Sequence, residues 1–224
     1  MNNNIINVAI DGPAGAGKST VARGAAKQLG YIYVDTGALY RAIGVNALRN
    51  GVDTKDKAAV AASLDGVKVD LLFENGEQKV MLNGEDVSVE IRTPEASMAA
   101  SDVSAVPEVR AFLFDLQRDI AKRNSCIMDG RDIGTVVLPQ AQVKIFLTAS
   151  PEIRAERRYK ELIEKGSEVD YQSVLDDIVK RDYNDSHREI APLKPAEDSV
   201  LFDTTGLALD ESVAAITKII KEKI

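Results

Sequence analysis

The sequence predicts an α/β fold, namely a doubly wound, five-stranded parallel sheet with a helical lid and a small antiparallel three-stranded β insertion. Three observations predict it. Short apolar runs alternate with helix-like segments along most of the chain, as in parallel strands joined by helices. Residues 67–92 break this alternation with three strand-like runs separated by Asn75-Gly76 and Asn83-Gly84, which are strong hairpin signals. The predicted runs are Val67–Phe73, Lys79–Leu82 and Asp86–Ile91. Two arginine-rich helical segments follow Pro151.

The first strand and helix flank a phosphate-binding loop, and the helix is predicted to run to about Leu29 and to end at Gly30. The apolar run Ile5–Ile10 leads into Gly12, Gly17, Lys18 and Ser19, which fit G-x-x-x-x-G-K-[ST]. Glycine lets a loop turn several N–H groups towards one anion without a Cβ penalty. The motif predicts ATP binding, with the Lys18 ammonium on the phosphates and the Ser19 hydroxyl on Mg²⁺. The expected nucleotide contacts in this loop are Gly12, Pro13, Ala14, Gly15, Ala16, Gly17, Lys18, Ser19 and Thr20.

The next strand, Tyr31–Val34, is followed by Asp35-Thr36-Gly37 and then by a helix that runs to about Asn50. Arg41 lies early in this helix. A strand end, a tight turn and a helix start with an arginine predict a second site for a small ligand. The alternative for Arg41 is a solvated helix residue.

The remaining elements complete the alternation. Thr93 and Pro94 predict a helix start, and a second helix follows Pro107. Further strands are predicted at Cys126–Asp129, Val143–Leu147 and Ser199–Asp203, with a closing amphipathic helix from Asp210 to Lys223.

The segment from Pro151 to Pro192 predicts a basic helical hairpin. Arg154, Arg157 and Arg158 have i, i+3, i+4 spacing and share a helix face. The spacing i, i+4, i+7 predicts a second shared face, formed by Arg181, Asp185 and Arg188. A solvated charged surface is the alternative. Phosphoryl transfer requires cations over the migrating group, and a mobile lid with arginines supplies them on closure.

Composition limits the partners and the compartment. The net charge of −7 argues against general nucleic-acid binding, which requires a basic face. The single cysteine, Cys126, excludes an internal disulfide framework and fits a reducing cytoplasm. No apolar run resembles a signal peptide or approaches the roughly 18 residues of a membrane span. We therefore expect a cytoplasmic protein without membrane or nucleic-acid partners, and a monomer because no dedicated interface is evident.

Four motifs occur in order: the phosphate loop, Asp35–Arg41, Asp129–Gly134 and Arg181–Arg188. Together they resemble bacterial cytidylate kinase over essentially the whole chain. The resemblance implies transfer of the γ-phosphoryl group of ATP to CMP or dCMP with Mg²⁺. It also implies a single kinase domain with a core of residues 1–63, 103–150 and 192–224, a monophosphate-binding insertion of residues 64–102 and a lid of residues 151–191.

The resemblance also implies a role for each polar residue of these motifs. The acceptor phosphate would be bound by Arg41 and Arg131, with Arg188 close by. Cytosine would be read by Ser101, Arg110 and Asp132, helped by Thr36, a position where many relatives have serine. The pentose would contact Arg181 and Asp185, and the lid residues that close on the triphosphate would be Arg154, Arg157 and Arg158.

The chemistry of the residues supports these roles. Asp132 can accept a hydrogen bond from the cytosine N4 amino group, whereas it would repel O4 of uracil. A local ion pair of Arg131 with Asp132 is the alternative. Asp129, at a strand end, is the candidate for holding Mg²⁺ through water. No strict catalytic base is needed, because the acceptor phosphate, with a second pKa of about 6, is already a dianion. The residues expected to carry catalysis are Lys18, Asp129, Arg131 and Arg181.

Two other functions remain open at this stage. One is a kinase of similar topology for UMP, AMP or a metabolite such as shikimate. The other is a GTPase switch. The sequence lacks the guanine-reading Asn-Lys-x-Asp, and its Asp-x-x-Gly, Asp203–Gly206, follows the last strand, where a switch motif would be misplaced.

Overall fold

The computed structural model describes residues 5–74, 77–164 and 166–224, except for the side chain of Glu77. The elements in chain order are β1 (Asn7–Asp11), α1 (Lys18–Leu29), β2 (Ile32–Asp35), α2 (Thr36–Arg49), α3 (Lys57–Ala62), β3 (Val69–Glu74), β4 (Glu77–Leu82), β5 (Glu85–Asp86), α4 (Pro94–Val103), α5 (Pro107–Arg123), β6 (Cys126–Gly130), β7 (Val143–Thr148), α6 (Pro151–Glu164), α7 (Tyr171–His187), β8 (Val200–Asp203) and α8 (Leu209–Lys223). A 3₁₀ turn at Glu90–Arg92 and a π-helical turn at Ile133–Val137 complete them.

The main sheet has five parallel strands in the order β2-β6-β1-β7-β8, and a separate antiparallel sheet has the order β3-β4-β5. The predicted fold class is therefore confirmed. Strand β1 is central, and its last residue, Asp11, is in register with Phe146 of β7. Ligands of such sheets bind outside the carboxyl ends of the strands, where the strand order reverses. None of the helices in the described ranges combines the length and the apolar character that crossing a membrane requires.

The chain divides into two compact units. The first comprises Tyr31–Cys126 and contains the antiparallel sheet. Asn83 and Gly84 have φ of 53° and 86°, which confirms the second predicted hairpin turn. The first predicted turn, at Asn75 and Gly76, lies outside the described residues.

The third strand of the insertion is much shorter than predicted. Val87, Val89 and Ile91 alternate as in a strand, but Val89 is 85% exposed, whereas the other two are buried. Burial four residues apart is a helical spacing. The backbone N–H of Ile91 accordingly donates to the carbonyl oxygen of Val87 at 3.0 Å, and the chain turns into the 3₁₀ helix.

The second unit comprises Ile6–Gly30 and Ile127–Ile224. It holds the phosphate loop between β1 and α1, and α1 ends at Gly30 with φ of 70°, as predicted. The predicted helical hairpin is present as α6 and α7, which pack through Ala155, Val174 and Ile178. The helix α3 and the π-helical turn are elements that the sequence did not predict.

Candidate active site

The phosphate loop of the second unit has the backbone that its glycines predict. Gly12, Gly15 and Gly17 have φ of 149°, 74° and 87°. Lys18 begins α1, is only 6% exposed, and donates from Nζ to the carbonyl oxygen of Pro13 at 2.7 Å. Burial, with help from the charge of Arg131, lowers the pKa of Lys18 to about 7. A buried ammonium at a helix N-terminus is placed to bind a phosphate.

The carboxylate of Asp129 lies beside the first turn of α1. The Ser19 hydroxyl donates to Asp129 Oδ2 at 3.0 Å, and Asp129 itself is buried in β6. These two oxygen ligands are the type that Mg²⁺ prefers, and Mg²⁺ usually completes its shell with water and phosphate. Among the described residues, no three His, Cys, Asp or Glu side chains cluster to hold a metal by themselves.

The turn after β6 carries two of the predicted site residues, and they pair with α7 and the residue after it rather than with each other. Arg131 Nε donates to Asp185 Oδ2 at 2.7 Å. Burial alone would raise the pKa of Asp185, but the charge and hydrogen bond of Arg131 outweigh it and hold the pKa below its ordinary value. Arg188 Nη2 donates to Asp132 Oδ1 at 3.3 Å, and both side chains are buried.

The expectation that Arg181, Asp185 and Arg188 share one helix face is wrong for the last of them. The helix α7 ends at His187, and Arg188 is its C-cap, with extended backbone (ψ 143°). Arg188 Nε donates to the carbonyl oxygen of Ala191 at 2.6 Å, which fixes the side chain in the following loop. The residue reaches Asp132 from that loop.

The three arginines of α6 have different surroundings although they share a face. Arg154 is 3% exposed and donates to the carbonyl oxygens of Ala149 at 2.8 Å and Ala14 at 2.9 Å. It also forms a bidentate ion pair with Asp182 of α7, with Nη1–Oδ1 and Nη2–Oδ2 distances of 3.0 and 2.5 Å. Arg154 thus fastens the helical hairpin to the phosphate loop through the backbone of Ala14.

The other two arginines are less enclosed. Arg157 donates to the hydroxyl and the carbonyl oxygen of Thr204, at 3.1 and 2.9 Å, after β8. Arg158 is partly exposed and pairs with Glu161 at 2.8 Å.

Replacing Arg154 with Lys is expected to lower the free energy of unfolding by about 1–3 kcal/mol, because a single ammonium cannot serve all these acceptors. The KM for ATP should rise as well, since the carbonyl of Ala14 loses its donor. Chemical denaturation and steady-state kinetics measure the two effects. Lys160→Gln, which removes only an exposed pair with Glu156 on the same helix, is the control and should change neither. An Arg154→Lys protein with unchanged stability and KM would contradict the role of Arg154.

The remaining predicted residues lie in the first unit. Asp35 caps α2 by accepting from the backbone N–H of Ala38 at 3.0 Å, and it binds Arg41 Nη2 at 2.7 Å. Thr36 is the first residue of α2 and is buried. The Asp35 carboxylate thereby orients Arg41.

Arg110 and Ser101 lie on consecutive helices of that unit. The Arg110 guanidinium lies 5.8 Å from the centre of the Tyr40 ring, and its Nη1 donates to the carbonyl oxygen of Ser104 at 3.4 Å. Ser101, on α4, accepts a hydrogen bond at its own carbonyl from the Ser104 hydroxyl at 2.9 Å. These contacts hold a buried arginine near the junction of α4 and α5.

Sequence reasoning missed Asp11, the last residue of β1. It is 5% exposed, and its carboxylate accepts from the backbone N–H groups of Ile133 and Gly134 at 2.8 and 2.7 Å. A charged residue that ends an apolar strand directly before the phosphate loop was the available signal.

Comparison with known proteins agrees with the motifs. The family model described as cytidylate kinase matches residues 8–222. A cytidylate kinase of Caldicellulosiruptor bescii is 50% identical over 223 residues, 98% of this chain and 99% of the relative. One of Lactobacillus johnsonii is 53% identical over 221 residues, 99% and 96% of the two chains. A solved structure of an uncharacterized protein from Eubacterium ventriosum shares the fold, with a TM-score of 0.56 at 14% identity and coverage of 98% and 99%. The chain belongs to the cytidylate kinase family.

Proposed function

We propose that this member of the cytidylate kinase family transfers the γ-phosphoryl group of ATP to CMP or dCMP by in-line displacement with Mg²⁺. The observation that carries the proposal lies in the second unit. The turn that holds Arg131 and Asp132 is bonded to Asp11, which directly precedes the phosphate loop. A cation and a base-reading carboxylate are thereby fixed to the element that binds the phosphates of ATP. Kinases for UMP, AMP or shikimate, and GTPase switches, do not require this set and are not favoured.

Catalysis then consists of positioning and charge neutralisation. The acceptor phosphate needs no base, since it is ionised near neutral pH. Lys18, Arg131 and Arg181 supply positive charge to the phosphates. Ser19 and Asp129 would hold Mg²⁺, which neutralises charge on the phosphates of ATP when it is bound. The buried contact of Lys18 and the part-buried contact of Arg131 keep these cations in place before the substrates arrive, so little reorganisation is needed.

Asp132 is proposed to set the base specificity. Its carboxylate accepts from an amino group, such as N4 of cytosine, and would face the O4 acceptor of uracil unfavourably. Arg188 holds this carboxylate through its 3.3 Å hydrogen bond. Asp185 and Arg181, on α7, are proposed to bind the pentose, and Arg188 is proposed to lie close to the acceptor phosphate.

The first unit contains further residues that are proposed to bind the acceptor nucleotide. Arg41, oriented by Asp35, is proposed as a ligand of the acceptor phosphate. Arg110 and Ser101 are proposed as donors to the acceptors of cytosine, helped by the hydroxyl of Thr36. The arginines proposed to act on the triphosphate are Arg154, Arg157 and Arg158. Arg154 would act indirectly, through its hydrogen bond to the backbone of the phosphate loop.

The domain organisation, the compartment and the oligomeric state are part of the same proposal. A lid of residues 151–191 would close over the triphosphate, and an insertion of residues 64–102 would assist monophosphate binding, within one kinase domain. Closure would exclude water and so suppress ATP hydrolysis. We further propose a cytoplasmic, monomeric enzyme of pyrimidine metabolism without membrane or nucleic-acid partners.

Asp132→Ala tests the proposed base-reading site. The variant is expected to lose about tenfold to hundredfold in kcat/KM for CMP relative to UMP, because a good polar base contact contributes about 1–3 kcal/mol to discrimination. Coupled ADP production from MgATP is measured with CMP, dCMP, UMP, AMP and shikimate for both proteins. Wild-type turnover confined to cytidine monophosphates is expected. If CMP gives no more ADP than the control without acceptor, the proposed acceptor is wrong.

A further inference from the structure

Asp11 binds the turn after β6 with both of its carboxylate oxygens. Oδ1 accepts from the N–H of Ile133 at 2.8 Å, and Oδ2 accepts from the N–H of Gly134 at 2.7 Å. The two donors are consecutive backbone groups, and both residues are buried. One side chain therefore fixes the position and the direction of this peptide segment.

The segment has no cap of its own. Ile133 begins the π-helical turn, and the side chain of its N-cap residue, Asp132, makes no capping hydrogen bond. The first N–H groups of a helical turn have no partner within the turn. The Asp132 carbonyl already accepts from Val136 and Val137 at 2.9 and 3.2 Å. Asp11 therefore supplies from another strand what a local cap ordinarily supplies, while the Asp132 side chain accepts a hydrogen bond from Arg188.

Gly134 fits between Asp11 and a neighbouring lysine. A Cβ on Gly134 would lie 3.3 Å from Asp11 Oδ2 and 3.2 Å from Cδ of Lys144. Lys144 is itself held in the buried strand β7 by an ion pair with Asp198 at 2.9 Å. The turn has packed neighbours on both sides, so a Cβ added at Gly134 must displace these side chains or the turn by a few tenths of an ångström.

Holding a turn with a buried carboxylate carries a free-energy cost, because burial disfavours the charged form. Burial raises the pKa of Asp11 to about 6, against the two backbone hydrogen bonds, which lower it. An apolar residue here would avoid this cost but could not bind two N–H groups. The two backbone hydrogen bonds offset part of this cost and define the position of the turn.

We infer that Asp11 is a positioning residue for base recognition: by fixing the backbone of Ile133 and Gly134, it sets where Arg131 and Asp132 meet the acceptor nucleotide. The inference rests on the proposed function. Asp11 directly precedes the phosphate loop, but it is expected to affect binding of the acceptor nucleotide rather than of ATP.

Asp11→Asn is the main test. The amide keeps the shape of the side chain but turns one acceptor into a donor, which then faces a backbone N–H. The KM for CMP should rise about tenfold, because small misplacement of positioning groups is costly. The ratio of kcat/KM for CMP over UMP should fall by about tenfold, while the KM for ATP stays within about twofold. Calorimetric titration with CMP alone should show the same loss.

Gly134→Ala perturbs the same contact from the other side without changing any charge, and it is expected to give the same pattern. If Asp11→Asn does not fold, Gly134→Ala still tests the inference. The control is Asp56→Asn, which alters a comparable carboxylate bond, from the N–H of Ala59 at 3.0 Å, at the start of α3. This control should leave both nucleotide KM values unchanged.

Three results would overturn the inference. The first is an equal rise of the KM values for ATP and CMP in both variants. The second is an unchanged preference for CMP over UMP. The third is a loss of stability alone. A wild-type protein that does not phosphorylate CMP would instead refute the proposed function, and the inference with it, before any variant is compared.

Discussion

Replacing Lys18 with Met is expected to lower kcat/KM for phosphoryl transfer by about 10²- to 10³-fold, the effect of removing one preorganised charge-stabilising group. Lys18 follows the last glycine of the phosphate loop, and its ammonium is held by the carbonyl of Pro13. Its charge acts on the phosphates with little screening because the side chain is almost fully buried. Steady-state kinetics with ATP and CMP measure the effect.

The same substitution should not unfold the protein. Burial disfavours the charged form of Lys18, as its lowered pKa of about 7 shows, so an apolar side chain of similar length removes a cost. We expect the Tm of Lys18→Met to equal or exceed that of the wild type. A loss of activity without a loss of stability distinguishes a catalytic role from a structural one.

Lys27→Met provides the matched control. Lys27 lies in the last turn of the same helix, is exposed and is distant in sequence from the loop, so its removal should leave kcat/KM unchanged. The role of Lys18 is refuted if Lys18→Met retains kcat/KM within tenfold of the wild type.

Local sequence signals predicted most of the fold. The phosphate loop, the α1 stop at Gly30 and the Thr93-Pro94 helix start each depend on neighbouring residues, and the structure contains all three. The third strand of the insertion was misjudged because alternation over five residues fits both a strand and a helical turn. Burial of Val87 and Ile91, which tertiary packing decides, selected the turn.

The contacts within the site could be predicted less well, because they join residues far apart in the chain. The spacing of Arg154 predicts a helix face but not its bond to the backbone of Ala14, 140 residues away. Arg188 matches a helical spacing, yet the helix ends one residue before it. Asp11 carries no motif of its own, since its partners are backbone groups that any sequence would supply.

Gly12→Ala is expected to abolish ATP binding and to destabilise the second unit by about 2–6 kcal/mol, combining backbone strain with overpacking. Gly12 has φ of 149°, which side chains rarely allow. A Cβ there would lie 1.9 Å from the carbonyl oxygen of Leu147, which is far inside contact distance. Denaturant unfolding and calorimetric titration with MgATP measure the two losses.

Gly30→Ala distinguishes the effect of backbone strain from the effect of a Cβ that collides with β7. Gly30 also has positive φ, 70°, but a Cβ there would meet nothing within 4 Å. Its replacement should cost only about 1–2 kcal/mol and leave ATP binding intact. The difference between the two variants then measures the collision with β7. Leu147 cannot retreat from this collision, because its strand is paired on both sides, with β1 and with β8. If Gly12→Ala is as stable as Gly30→Ala and still binds MgATP, the close approach of the loop to β7 is not what shapes the phosphate site.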